Sequence, residues 1–126
     1  LLSAFLLEHN ERYGFSHYWV AYPLTFISQE RLIYVPRLPY HADLRYTPRY
    51  DRYPAYTCQV LRAPRVAYVT NGPPALDERL TQGFRAAGIE WREALVGSFR
   101  VYYALSRPIM PWELGLSPKP EVDCAP

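Results

Sequence analysis

Cysteine, lysine, methionine and long apolar runs are all scarce in this chain of 126 residues. Two cysteines are too few for the disulfide framework that replaces a core in many small secreted domains. No stretch reaches the roughly 20 apolar residues of a membrane-spanning helix. The net charge of +2 is too small to indicate nucleic-acid binding through bulk electrostatics. With 49% hydrophobic residues, the chain is instead expected to fold as one domain around a hydrophobic core.

Signatures of catalysis, metal binding and cofactor binding are also missing from the sequence. The histidines, His9, His17 and His41, lack the HxxxH spacing of a metal site, and there is no Cys-x-x-Cys pair. No glycine-rich dinucleotide fingerprint, Walker motif or GxSxG elbow occurs. Ser16 and His17 are adjacent, but neighbouring residues on a strand point apart, so they do not predict a nucleophile and its base. We therefore predict no catalytic residues, no metal site and no cofactor.

The first third of the chain predicts two helices separated by a short strand. Apolar residues at helical spacing indicate a helix over residues 2–13. A short extended segment over residues 13–16 is expected to join the sheet, and Ser16 is placed to cap a second helix. Pro23 lies within that second helical pattern, so we expect the regular helix to start near Tyr22 or to bend.

The rest of the chain alternates strands and helices and ends in a hairpin. Residues 31–35 and 65–70 predict buried strands, and residues 51–62 and 73–87 predict helices. One face of the second of these helices carries three apolar residues, Leu76, Leu80 and Phe84. Residues 89–105 alternate in polarity on both sides of a two-residue connection, which is typical of a hairpin.

These elements predict an α/β fold. We expect a small, mostly parallel sheet of four to five strands with flanking helices and a carboxyl-terminal antiparallel hairpin, in a single domain over residues 1–107. Residues 108–126 are rich in proline and acidic residues and predict a loosely attached tail. Cys124 lies in that tail, so a disulfide with Cys58 would fix it; the alternative is one buried thiol and one tail thiol.

The most unusual feature of the sequence is a long stretch in which arginine and tyrosine interleave. Nine of the twelve tyrosines lie between Tyr13 and Tyr56, and residues 45–56 read RYTPRYDRYPAY. Arginine can bind phosphate or carboxylate oxygens with two hydrogen bonds, while tyrosine offers a flat apolar face and a hydroxyl. This composition suits an anionic sugar, a sugar phosphate or a protein partner; the alternative is stacking within a self-packed loop. The candidate ligand-binding residues are Arg45, Tyr46, Arg49, Tyr50, Arg52 and Tyr53.

A second candidate place is the turn from Thr70 to Pro74, after the clearest strand. Open α/β sheets commonly bind ligands where a strand ends and a helix begins. Pro73 and Pro74 lack the backbone N–H groups that a phosphate cradle needs, which weakens that interpretation. We interpret Asp77 and Glu78 as first-turn acids favourable to the helix dipole, not as a general acid/base pair.

Three segments carry a resemblance to a known family. Residues 13–36 read YGFSHYWVAYPLTFISQERLIYVP, and RYDRYPAY and PRVAYVT follow in order. This order resembles the soluble carboxyl-terminal domain of bacterial polytopic membrane proteins of the GT-C glycosyltransferase type, the protein mannosyltransferase and aminoarabinose transferase kind. The resemblance covers roughly Leu1 to Leu105 and is a matter of pattern, not of an invariant catalytic motif. Pro23 departs from the helix-friendly residue expected in the YWxAYxLTF stretch.

The resemblance implies an accessory role outside the cytoplasm. In that family the catalytic acids lie in extracytoplasmic loops of the membrane part, so the resemblance implies a non-catalytic domain joined to the transmembrane part of a glycosyltransferase-like parent. The first residue, Leu1, is not methionine, and we expect the sequence to start inside such a longer chain. The implied ligand is a glycan or a lipid-linked sugar phosphate, and nucleic acid is not expected. The alternative is a protein-interaction or structural module that docks through the Arg/Tyr-rich segment, residues 37–56.

Overall fold

The structure, a computed structural model, describes residues 1–47, 53–122 and 124. The helices are α1 (Leu2–Glu8), α2 (Tyr18–Ile27), α3 (Pro54–Leu61) and α4 (Pro74–Ala86), with a 3-10 helix over Pro111–Leu114. The strands are β1 (Tyr13–Ser16), β2 (Ile33–Pro36), β3 (Ala67–Thr70), β4 (Arg92–Val96) and β5 (Phe99–Tyr103). Within the described residues, no helix is both long enough and apolar enough to span a membrane.

The five strands form one mixed sheet in the order β2-β1-β3-β5-β4. β1 runs parallel to β2 and β3, whereas β5 runs antiparallel to both β3 and β4. The α/β class and the terminal hairpin are therefore confirmed, but the expectation of a mostly parallel sheet is wrong. The reason is that β5, the second strand of the hairpin, pairs with β3 in place of β4. The sheet therefore has two antiparallel and two parallel strand pairs.

Helices cover both faces of the sheet and bury a core on each. On one face α1 and α2 pack over the strands, and the buried residues include Leu6, Val20, Leu24, Tyr34, Val69 and Val101. On the other face α3, α4 and the 3-10 helix pack over a larger cluster that includes Phe15, Val60, Tyr68, Leu80, Phe84 and Tyr102. The predicted apolar face of α4 is confirmed, since Leu76, Leu80 and Phe84 have no exposed surface.

The first helix is shorter than the pattern over residues 2–13 predicts. α1 ends at Glu8, and Asn10 has a positive φ of 57° that breaks the helix. The chain turns here so that Glu11 is buried, where one carboxylate oxygen accepts from Arg65 at 2.7 Å and from the backbone N–H of Ala104 at 2.8 Å. An ion pair between the buried Glu11 and the partly exposed Arg65 of a distant segment thus overrides the local helical spacing.

The cap of α2 also differs from the prediction. Ser16 is buried at the end of β1, where its hydroxyl donates to the carbonyl of Val69 at 2.7 Å. His17 takes the N-cap position instead, and its Nδ1 accepts from the backbone N–H of Trp19 at 3.2 Å. The serine is therefore used to join two parallel strands, and the histidine caps the helix.

The regular part of α2 begins at Tyr18 and contains Pro23, so of the two alternatives, a start near Tyr22 and a bend, the first is wrong. A proline inside a helix costs about 3 kcal/mol, because it removes one backbone hydrogen bond and crowds the preceding turn. Pro23 lies on the exposed side, while Val20, Ala21 and Leu24 on the inner side are buried against the sheet. Packing of the inner face offsets the cost of the proline.

The carboxyl-terminal segment differs from the loosely attached tail that we expected over residues 108–126. Ile109, Leu114 and Leu116 are buried in the core cluster beneath α4. Cys58 of α3 and Cys124 form a disulfide with a Cα–Cα distance of 5.3 Å, which decides between the two alternatives for the cysteines. Residues 109–116 therefore belong to the packed body of the fold.

Candidate functional site

The carboxyl ends of the three parallel strands β1, β2 and β3 lie side by side at one end of the sheet. β1 lies in the sheet between its two parallel neighbours, β2 and β3. After β2 the chain passes to the other side of β1, where it forms β3. In open α/β sheets this change of direction leaves a crevice outside the strand ends, where ligands commonly bind. His17 follows β1 and Asn71 follows β3, and their Nε2 and Oδ1 atoms are 2.6 Å apart.

His17 is a neutral side chain that joins the ends of β1 and β3. Because Nδ1 accepts from the N–H of Trp19, the ring hydrogen is on Nε2, which donates to Asn71. Burial lowers the pKa of His17 below its ordinary value of 6.5, although the hydrogen bond to Asn71 acts in the opposite direction. The ring of Tyr40 also lies near His17, with the ring centroids 6.2 Å apart.

Beside this junction lies an open cleft of about 490 Å³. Its walls are the end of β3 with the following turn, the first two turns of α4, and the hairpin of β4 and β5. The side chains that give the cleft its chemistry are Asn71, Asp77, Glu78, Glu93, Arg100 and Tyr102. Leu95, whose side chain is largely exposed, adds an apolar wall.

Asp77 is the centre of the hydrogen bonds within the cleft. Its Oδ1 atom accepts from the hydroxyls of Thr70 at 2.7 Å and Tyr102 at 2.6 Å. The Nε atom of Arg100 lies 3.9 Å from the same oxygen, and Nη1 of Arg100 lies 3.4 Å from Oε2 of Glu93. β3, β5 and α4 are thereby joined at one carboxylate, and the cleft floor is preorganised.

The protonation of Tyr102 is also set by this arrangement. Burial, together with the hydrogen bond to Asp77 and its negative charge, raises the pKa of Tyr102 well above its ordinary value. Tyr102 is therefore a hydrogen-bond donor at neutral pH and not a base. The adjacent Ser16 and His17 have separate partners, Val69 and Asn71, and do not bond to each other as a nucleophile and base would.

The residues predicted from the Arg/Tyr-rich segment divide into two groups. Arg49, Tyr50 and Arg52 lie outside the described residues. Arg45 is exposed: its Nη1 lies 3.9 Å from Oδ2 of Asp43 as an ion pair, and its Nη2 lies 3.4 Å from Nδ1 of His41. Arg45 is thus accessible, as a ligand-binding arginine should be.

Tyr46 and Tyr53 contact different elements of the fold. The Tyr46 hydroxyl donates to the carbonyl of Pro36 at 2.8 Å, and the guanidinium of Arg37 lies 5.8 Å from its ring centre. Tyr53 precedes α3, and its ring centre lies 4.9 Å from that of Tyr22 and 5.7 Å from that of Phe26. Tyr46 therefore packs on the end of β2, whereas Tyr53 joins an aromatic cluster on α2.

The apolar surface near α2 extends into a second cavity. A groove of about 510 Å³ lies between the amino-terminal residues of α1, the outer face of α2 and the turn of the hairpin. Trp19 and Ile27 on its wall are 62% and 76% exposed. Ser98 in the hairpin turn lines both this groove and the polar cleft, so the two cavities lie on opposite sides of the hairpin.

The sequence indicates a candidate site at the turn over residues 70–74 but does not predict the cleft beside it. The local sequence marks Asp77 as a first-turn acid favourable to the helix dipole, and nothing in it shows that Asp77 accepts hydrogen bonds from β3 and β5. The one available signal was the period-two alternation of the hairpin, which places Glu93 and Leu95 on one face. Among the described residues, no group of three histidine, cysteine or acidic side chains is arranged to hold a metal ion.

Comparison with protein-family models, with curated proteins and with solved structures finds no match to this chain.

Proposed function

We propose that this chain is a non-catalytic, extracytoplasmic domain that binds or positions a glycan for a membrane-bound, glycosyltransferase-like protein. The observation that carries the proposal is the preorganised polar cleft in which Asp77 joins β3, α4 and β5. The cleft lies beside the crevice where α/β sheets commonly bind ligands. The resemblance of roughly residues 1–105 to accessory domains of GT-C proteins gives the proposed context.

The composition of the cleft suits the hydroxyl groups of a sugar. Carboxylates of Glu78 and Glu93 accept hydrogen bonds, and the guanidinium of Arg100 donates them, so a ring of hydroxyls can be satisfied on several sides. Leu95 offers an apolar wall for the carbon face of a sugar ring. A volume of about 490 Å³ falls within the range of small-molecule sites, about 300 to 1,000 Å³.

The charges in the cleft favour a neutral sugar over a sugar phosphate. Asp77, Glu78 and Glu93 contribute three carboxylates against the single described guanidinium of Arg100. A phosphate in the cleft would lie among like charges, which is unfavourable. The cleft is therefore assigned to the sugar part of a ligand, and any anionic part is assigned to arginines elsewhere, such as the exposed Arg45.

Two further observations support the proposal. Asp77 and Tyr102 are bonded to each other, and Tyr102 retains its proton, so this pair serves positioning and not proton transfer. The disulfide between Cys58 and Cys124 supports a location outside the cytoplasm, because disulfides persist in oxidising compartments.

Affinity measurements with neutral oligosaccharides and the corresponding sugar phosphates test the proposal. We expect neutral saccharides to bind and the phosphates to bind at least tenfold more weakly. Asp77→Asn and Glu78→Gln keep the size of each side chain but remove its charge, and each should weaken saccharide binding about tenfold. Glu90→Gln is the matched control, because Glu90 is exposed and lies outside the cleft. Equal binding by all variants, or preference for phosphates, would contradict the proposal.

The second candidate function is a protein-interaction module that docks through the Arg/Tyr-rich segment. One observation favours it: the exposed rings of Tyr53 and Phe26 pack against each other and against the buried ring of Tyr22. Aromatic side chains that remain exposed are enriched in protein interfaces. A partner contact of this kind should be weakened by Tyr53→Ala and should leave saccharide binding in the cleft unchanged.

A further inference from the structure

β4 forms a free edge of the sheet within the described residues. It pairs with β5 on one side and ends the strand order on the other. Val96 and Phe99 close the two-residue turn, so the backbone groups of Val96 and Ala94 bond to β5. The N–H and C=O groups of Glu93 and Leu95 then point outward, where they can pair with another extended segment.

The two faces of this edge differ in chemistry. Glu93 and Leu95 lie on the side of the cleft, where carboxylates outnumber the guanidinium of Arg100. Val96 lies on the opposite side, at the apolar groove whose wall includes the exposed side chains of Trp19 and Ile27. An added strand would therefore meet negative charge on one face and apolar surface on the other.

We infer that the outer edge of β4 binds an extended peptide segment of a partner protein, with alternating basic and apolar side chains, as an added antiparallel strand. Residues opposite Glu93 and Leu95 place their side chains on the cleft face, where a lysine or arginine meets Glu93. Residues opposite Ala94 and Val96 place apolar side chains at the groove. Backbone hydrogen bonds to the edge contribute affinity, and the alternating side chains contribute specificity.

This site shares the side chains of Glu93 and Leu95 with the cleft, but it goes beyond the proposed glycan function because the peptide binds through the outward backbone groups of β4. The floor of the cleft is formed instead by Thr70, Asp77 and Tyr102 of β3, α4 and β5. Loss of peptide binding therefore leaves the glycan proposal standing, and loss of saccharide binding leaves the peptide site standing.

A synthetic peptide tests the inference directly. The probe is a blocked seven-residue peptide of alternating lysine and valine, compared with one in which glutamate replaces lysine. We expect the lysine peptide to bind at least tenfold more tightly and to shift the backbone amides of Glu93 and Leu95. In antiparallel pairing the lysine residues direct their N–H groups at β4, so N-methylation of the lysines should abolish binding, whereas N-methylation of the valines should not. Equal binding of the two charge types, or equal effects of the two methylation patterns, would overturn the inference.

Variants of the edge provide the second arm of the test. Leu95→Pro removes an outward N–H group without removing a bond to β5, and should weaken peptide binding at least tenfold. Leu95→Ala keeps that N–H group and should change affinity less than threefold. If Leu95→Pro does not fold, the methylated peptides still decide the question. A dimer of this chain that the lysine peptide does not displace would assign the edge to a second copy and overturn the inference.

Discussion

His17 Nε2 lies 2.6 Å from Asn71 Oδ1, and this hydrogen bond joins the carboxyl ends of β1 and β3. The same ring caps α2 through Nδ1, so one side chain connects two strands and a helix. The bond from Trp19 requires the neutral imidazole, because a protonated Nδ1 has no lone pair to accept it, whereas Nε2–H can donate to Asn71 in either protonation state. Since Asn71 also lines the cleft, the bond from His17 helps to position one wall of the proposed ligand site.

The stability of the domain should depend on the protonation of His17. Its pKa in the folded state is lowered from 6.5, mainly by burial, so the unfolded state binds a proton at higher pH than the folded state does. The contribution of His17 to the free energy of unfolding should be constant above about pH 7 and should decrease as the pH falls below 6.5. Urea denaturation between pH 5 and pH 8 measures this dependence.

His17→Asn is the control for this pH effect. Asparagine accepts well at an N-cap but does not titrate over this range, so the variant should keep the helix cap and lose the pH-dependent difference. The quantity to compare is the free energy of unfolding of the original protein minus that of the variant. A difference that stays constant with pH, or that favours the original protein increasingly at low pH, would show that the neutral form is not selected.

Phe84 on α4 should be a major contributor to core stability. Its side chain has no exposed surface and contacts the rings of Tyr68, Trp91 and Tyr102. Phe84→Ala should lower the free energy of unfolding by roughly 3 to 5 kcal/mol, because it leaves a cavity among these rings. Ile27→Ala, at a largely exposed position, should change stability by less than about 0.5 kcal/mol. An unchanged denaturation midpoint for Phe84→Ala would contradict this account of the α4 face.

The disulfide should make a large contribution to stability because it closes a long loop. Cys58 and Cys124 are 66 positions apart. A cross-link of this span lowers the conformational entropy of the unfolded chain, which raises the free energy of unfolding by about 4 kcal/mol. Cys58→Ser together with Cys124→Ser should lower the free energy of unfolding by roughly that amount. Titration of the native protein with a thiol reagent should detect no free thiol until a reductant is added. Full reactivity without reductant would show that the bond does not form.

The sequence predicted the elements better than it predicted their partners. The apolar spacing of α4 and the alternation around the hairpin turn are local patterns, and the structure contains both elements close to their predicted positions. The mixed sheet depends on which hairpin strand meets β3, and that choice is made by tertiary packing. The early end of α1 has a similar origin, because Glu11 is bonded to Arg65, 54 positions away.

The candidate site was predictable only in location. A turn between β3 and α4 marks a common ligand position, but the bonds that define the cleft join Asp77 to Thr70 and to Tyr102, 25 positions further along the chain. Ile109 and Leu116 are a second example. The proline-rich composition of their segment predicts a tail, but both side chains are buried in a core that is formed by residues far away in the sequence. Composition identified the Arg/Tyr-rich segment, yet Tyr46 and Tyr53 pack on separate elements.

The most direct test of the central claim is a titration that follows backbone amide shifts in the intact chain with neutral oligosaccharides. The account predicts saturable shifts at Thr70, Asn71, Asp77 and Arg100, which are reduced in Asp77→Asn and unchanged in Glu90→Gln. Shifts confined to residues 37–47, obtained with sugar phosphates and not with neutral saccharides, would contradict the claim that the cleft is the glycan site.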